Sequence, residues 1–91
     1  MIRVVAYKEG DQWIAQCLEY DICAHASDED KLKSRLAAIL EFERNLSIER
    51  NGAPFAGIDP APEQFHDMWN DCFDGSTLET SSGDVELKKC A

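Results

Sequence analysis

The chain has 91 residues, room for one domain with a single sheet, one or two helices and a modest core. Eighteen acidic residues face nine basic ones, and the net charge of −9 opposes binding to a phosphate backbone, which is held by Lys and Arg. No apolar run reaches the length of about eighteen residues that a membrane span needs, and Met1-Ile2-Arg3-Val4-Val5 lacks the zones of a secretion signal, so a cytoplasmic protein is expected. That compartment in turn predicts free thiols for Cys17, Cys23, Cys72 and Cys90.

Ile2 to Tyr7 is rich in β-branched and aromatic residues and predicts a first strand, with Ile2, Val4 and Ala6 on one face. Lys8-Glu9-Gly10-Asp11 makes a turn in which Gly10 supplies positive φ, and Gln12 to Leu18 follows as the second strand of a hairpin. After the short connection Glu19-Tyr20-Asp21, Ile22 to Ala26 is a third strand. A long helix then runs from Asp28 to about Arg50, capped by Ser27 and closed by Asn51-Gly52, with Pro54 beyond. Leu32, Leu36, Ile39, Leu40 and Leu46 recur at three- and four-residue intervals and define its buried face. Glu43 projects near the middle of that stripe. At about 1.5 Å per residue the helix spans roughly 35 Å and outruns a small sheet, which puts Glu43 at the rim; the alternative is a buried carboxylate held by a partner.

Asn51 to Ile58 is loop. Asp59-Pro60 predicts an N-cap and a first turn, and a second helix runs to about Phe73 with Phe65, Met68, Trp69, Cys72 and Phe73 on its apolar face; Asp74-Gly75 ends it. Its opposite face carries Glu63, Asp67 and Asp71 four residues apart, with Asp74 beside them. Ser76 to Gly83 is small and polar and is expected to be a flexible connection. Asp84 to Cys90 alternates Val85 and Leu87 with polar residues and predicts a last strand. The expected class is α+β, one domain over residues 1–91: a three-stranded antiparallel meander, a long helix, a second acidic helix, and a final strand parallel to the first. The implied sheet order is 3-2-1-4.

The run Arg3-Val4-Val5-Ala6-Tyr7-Lys8-Glu9-Gly10-Asp11-Gln12-Trp13-Ile14-Ala15-Gln16-Cys17-Leu18-Glu19-Tyr20-Asp21-Ile22-Cys23, with Gly52-Ala53-Pro54-Phe55 after the long helix, resembles the HicB-like antitoxin family over about the first 55 residues. The resemblance implies a partially degraded ribonuclease H-like fold and a role in neutralising a small basic ribonuclease toxin. Glu19-Tyr20-Asp21 stands where the family has Pro and Gly, and the acidic helix is an insertion. No DNA-binding segment follows, so DNA-binding autoregulation is not implied here.

Catalysis by a ribonuclease H mechanism needs clustered acids to hold two divalent ions, and the first strand contains no carboxylate. Cys23 and His25 alternate along one strand, which suits structural residues, and the spacing of Cys17 and Cys23 does not suit zinc. No catalytic residue, metal or cofactor is expected. The acidic helix is the candidate surface. From Asn51 to Leu87 there is no Lys or Arg, and Glu63, Asp67, Asp71 and Asp74, with Trp69 at the edge, are expected to dock a basic protein partner such as a ribonuclease toxin. The alternatives are a solvated face, and a stand-alone domain that forms a homodimer through a sheet edge or the overhanging helix end. A homo-oligomer is expected, with neither nucleic acid nor membrane bound by the chain itself.

Overall fold

A computed structural model of the chain describes residues 1–72 and 74–90. The elements are β1 (Ile2–Glu9), β2 (Gln12–Cys17), β3 (Cys23–Ala26), α1 (Glu29–Asn51), α2 (Glu63–Asp71), β4 (Asp74–Thr80) and β5 (Gly83–Lys89). The class is α+β, with one mixed five-stranded sheet of order β3-β2-β1-β5-β4.

The meander forms as the alternation predicts, with Val4 opposite Cys17 and Ala15 opposite Ala24. Gly10 turns the first hairpin at φ 60. The strand carrying Val85 and Leu87 runs parallel to β1, with Ile2 opposite Val85 and Val4 opposite Leu87. The expected order 3-2-1-4 is nevertheless incomplete. This strand is the fifth, and the outer place beside it belongs to β4, in the segment expected to be a flexible connection. An edge strand has one open side and needs little apolar surface, and Leu78 is the sole large apolar residue of β4. The β4–β5 turn is fixed by Thr80, whose Oγ1 accepts from the Ser82 N–H at 3.1 Å and donates to the Gly83 carbonyl at 2.7 Å.

Leu32, Leu36 and Leu40 of α1 pack on Val4, Ala6, Ala15, Cys17, Val85 and Leu87, which make up one side of the sheet. The small residues Ala6, Ala15, Ala24 and Ala26 let the helix lie close to the strands. Asp28, one residue beyond the expected Ser27, is the N-cap; its Oδ1 accepts the Lys31 N–H at 2.8 Å. Gly52 closes the helix in the left-handed conformation, φ 81, and donates to the Ile48 carbonyl at 2.9 Å. The last turns meet the following loop, where Asn51 donates to the Ala56 carbonyl. Glu43 sits half-buried there beside Leu46, Arg50 and Ile58, in no ion pair among the described residues, which is the rim position.

α2 is shorter than the expected Pro60 to Phe73. Asp59 does not cap it. Asp21 donates to the Asp59 carbonyl at 2.7 Å and Ala61 donates to the Leu18 carbonyl at 3.0 Å, so this stretch runs along the β2–β3 bend, and the helix starts at Glu63 with no side-chain cap. Phe73 lies outside the described residues. Asp74 and Gly75 open β4 instead of ending the helix. α2 covers the side of the sheet opposite α1, with Trp69 packed on Val5 and Leu18 and flanked by Phe65 and Met68.

Cys72 and Cys90 form a disulfide, with Cα atoms 5.0 Å apart, while Cys17 and Cys23 are free. The expectation of four free thiols is therefore corrected for one pair. Docking α2 on the sheet carries Cys72 to the end of β5, within the 4.4–6.8 Å Cα range that a disulfide spans.

Candidate functional site

Glu63, Asp67 and Asp71 lie four residues apart on the outer face of α2, and all three are exposed. Asp74 belongs to β4, away from the helix stripe. Trp69 does not stand beside the acids as an anchor. It is 8% exposed and faces the sheet, with the Lys88 Nζ 4.3 Å from its ring centroid on a cation–π approach. The periodicity that carries the carboxylates outward turns Phe65 and Trp69 inward.

Strand register enlarges the acidic surface. Val85 and Leu87 point to α1, so Asp84 and Glu86 point to the α2 side; Glu79 pairs with Asp84 and shares their side. Glu63, Asp67, Asp71, Glu79, Asp84 and Glu86 thus gather on one side of the molecule, and among the described residues none enters an ion pair. Of the nine Lys and Arg residues, Arg3 and Lys88 belong to this side. Both are engaged. Glu19 accepts from the Arg3 backbone N–H and from its Nε–H, each at 2.6 Å, and Lys88 lies over Trp69. The opposite side mixes its signs: Lys89 reaches Glu29 at 3.2 Å and Lys31 reaches Asp28 at 3.8 Å.

The α2 side also carries Tyr7, stacked on Phe65 with centroids 6.4 Å apart. Burial, then the charge of Glu9, raises its hydroxyl pKa. Cys23 and His25 are exposed along β3, while Cys17 points into the α1-side core, so the two free thiols occupy opposite sides of the sheet. Among the described residues no group of His, Cys, Asp and Glu is arranged to hold a metal.

A concavity of about 380 Å³ was not legible in the sequence because five separate segments build it. It is walled by the start of β1, the β2–β3 bend (Glu19, Tyr20), Arg44 of α1, Pro54-Phe55 and the β4–β5 turn. Tyr20 and Phe55 stack at 4.4 Å between centroids.

No protein-family model, curated protein or solved structure is found to match the chain. The class that fold and surface define is an α+β domain with one acidic side. No described helix is long and apolar enough to cross a membrane.

The free thiols are expected to differ sharply in reactivity. Burial, followed by the charges of Glu19 and Cys23, pushes the Cys17 thiol from its ordinary 9.0 up to about 12. It stays protonated and out of reach, whereas Cys23 is exposed. Mass spectrometry of the native protein with iodoacetamide at pH 8 should show one rapid adduct, on Cys23; equal labelling of Cys17 would contradict the buried register. A thiol pKa raised by folding adds stability in full below about pH 9 and loses it as pH rises from there toward 12.

Proposed function

We propose that this chain is a non-catalytic binding protein, antitoxin-like in action, whose α2 side occludes a basic protein surface such as that of a small ribonuclease toxin. The observation that carries the reading is the gathering of Glu63, Asp67, Asp71, Glu79, Asp84 and Glu86 on one side, where the basic residues are already engaged. Opposed charge accelerates encounter and sets partner choice, and a surface of one sign does this better than a mixed one. The resemblance of the first strands to HicB-like antitoxins supports the same partner class. The charge that favours a basic protein also disfavours nucleic acid. A cytoplasmic location belongs to this reading, and reduction there would leave α2 held by its packing alone.

The test replaces Asp67 and Asp71 by Asn. Association with small basic ribonucleases of the toxin class is measured at about 0.05 and 0.3 M salt, where screening differs strongly. Slower association with a flatter salt dependence is expected for the variant, along with stability raised by a few tenths of a kcal/mol as the Glu63–Asp67 and Asp67–Asp71 repulsions disappear. Equal association rates would return the helix to a solvated face.

A second reading rests on β4. Its outer edge has no neighbouring strand, and it would serve a homodimer that continues the sheet.

A further inference from the structure

We propose that the concavity between α1, the β2–β3 bend and the β4–β5 turn binds a small carboxylate carrying a flat apolar group, with Arg44 as the residue that takes the carboxylate. The concavity shares Asp84 with the acidic α2 side, but the inference does not rest on that side's function. Arg44 is half-buried, and its Nε is buried without a hydrogen-bond partner among the described residues; the same holds for the Ser82 Oγ on the facing turn. Buried polar atoms are paired almost without exception, so two orphans lining one concavity call for a polar group from outside the chain. Arg44 enters no ion pair among the described residues, in a chain with twice as many acids as bases.

The acids that line the same concavity do not serve. Both carboxylate oxygens of Glu19 are taken by Arg3, at 2.6 Å each. Asp84 is exposed at the mouth, where solvent screens its charge. The two terminal nitrogens of the guanidinium match a carboxylate in paired hydrogen bonds, and the Ser82 hydroxyl becomes a further donor when its side chain turns toward the ligand. The stacked Tyr20 and Phe55 line the same space and provide the apolar wall. A volume of about 380 Å³ has room for a one-ring acid.

Benzoate is the probe, benzamide its neutral counterpart, and acetate and inorganic phosphate the ring-free anions, each titrated into the full chain and followed by amide NMR. Saturable shifts at Tyr20, Phe55 and Ser82 are expected with benzoate, at an affinity at least about tenfold above that for benzamide, the size of one charge-assisted hydrogen bond. Arg44→Gln should weaken benzoate by a similar factor while the remaining spectrum stays unchanged. Arg44→Lys keeps the charge but loses the fork, and it should also bind several-fold more weakly. Should Arg44→Gln fail to fold, the Arg44→Lys and Ser82→Ala variants decide. The proposal is overturned if benzoate binds no better than benzamide, if phosphate or acetate matches benzoate, if the shifts lie elsewhere, or if the variants that fold bind as wild type does.

Discussion

Opening the Cys72–Cys90 bond is expected to lower stability by about 3 kcal/mol, the chain-entropy value for a loop of this length, since the bonded residues lie 18 apart. For a domain of this size that corresponds to a fall in thermal midpoint on the order of 15 °C. The loss should appear first in α2. Nothing else covalent holds it, no side chain caps its start, and Glu63, Asp67 and Asp71 repel one another along it. In a Trp13→Phe background, Trp69 fluorescence should shift to the red on adding dithiothreitol at a temperature where the far-ultraviolet circular dichroism of the sheet is unchanged. The double Cys72→Ser, Cys90→Ser variant should match the reduced protein. A midpoint indifferent to reductant would show that the packing of Trp69 on Val5 and Leu18 suffices.

Leu36→Ala is expected to cost about 3 kcal/mol, within the range for emptying a fully buried leucine site. Leu36 has no exposed surface and lies at the centre of the α1 stripe, between Leu32 and Leu40 over the small residues of the sheet. Helix and strands there are already in close contact, so collapse into the vacated space is limited. Urea titration should show a lower midpoint with an unchanged slope. The contrast is Phe42→Ala, one of the exposed apolar positions, which should stay within about 0.5 kcal/mol of wild type. Similar losses at both positions would mean that α1 is oriented differently.

These sites separate what the sequence discloses from what it hides. Leu32, Leu36 and Leu40, and the alternation of Ile2, Val4 and Ala6, were legible because a core imposes its own period on the chain that lines it. The capping residue was misplaced by one position because Ser27 and Asp28 are both good caps, and only the backbone path selects Asp28. β4 was hidden because an edge strand of Gly, Ser and Thr carries no such period. The disulfide was hidden because pairing depends on where α2 docks, which spacing does not encode. The acids of α2 were legible as a stripe, but their companions Glu79, Asp84 and Glu86 join them only through the register of β4 on β5. Trp69 was read on the apolar face but at the edge of the acidic stripe, and its four-residue step from Phe65 places it fully with the inward residues.

β1 lies at the centre of the sheet, between a strand that follows it after one turn and a strand from the far end of the chain. On a ribosome the two neighbours emerge at very different times. The meander and α1 are free to assemble early, but the parallel edge of β1, from Ile2 to Ala6, keeps its amides and carbonyls open until Val85 to Lys89 have been synthesised. Closing so long a loop is slow, and during the wait that edge is a template for another chain. The acidic stretch that separates the two strands, with no Lys or Arg from Asn51 to Leu87, gives unfolded copies of the full chain a like charge that opposes their association while this edge is open. That charge thereby disfavours pairing of the open edge with another copy.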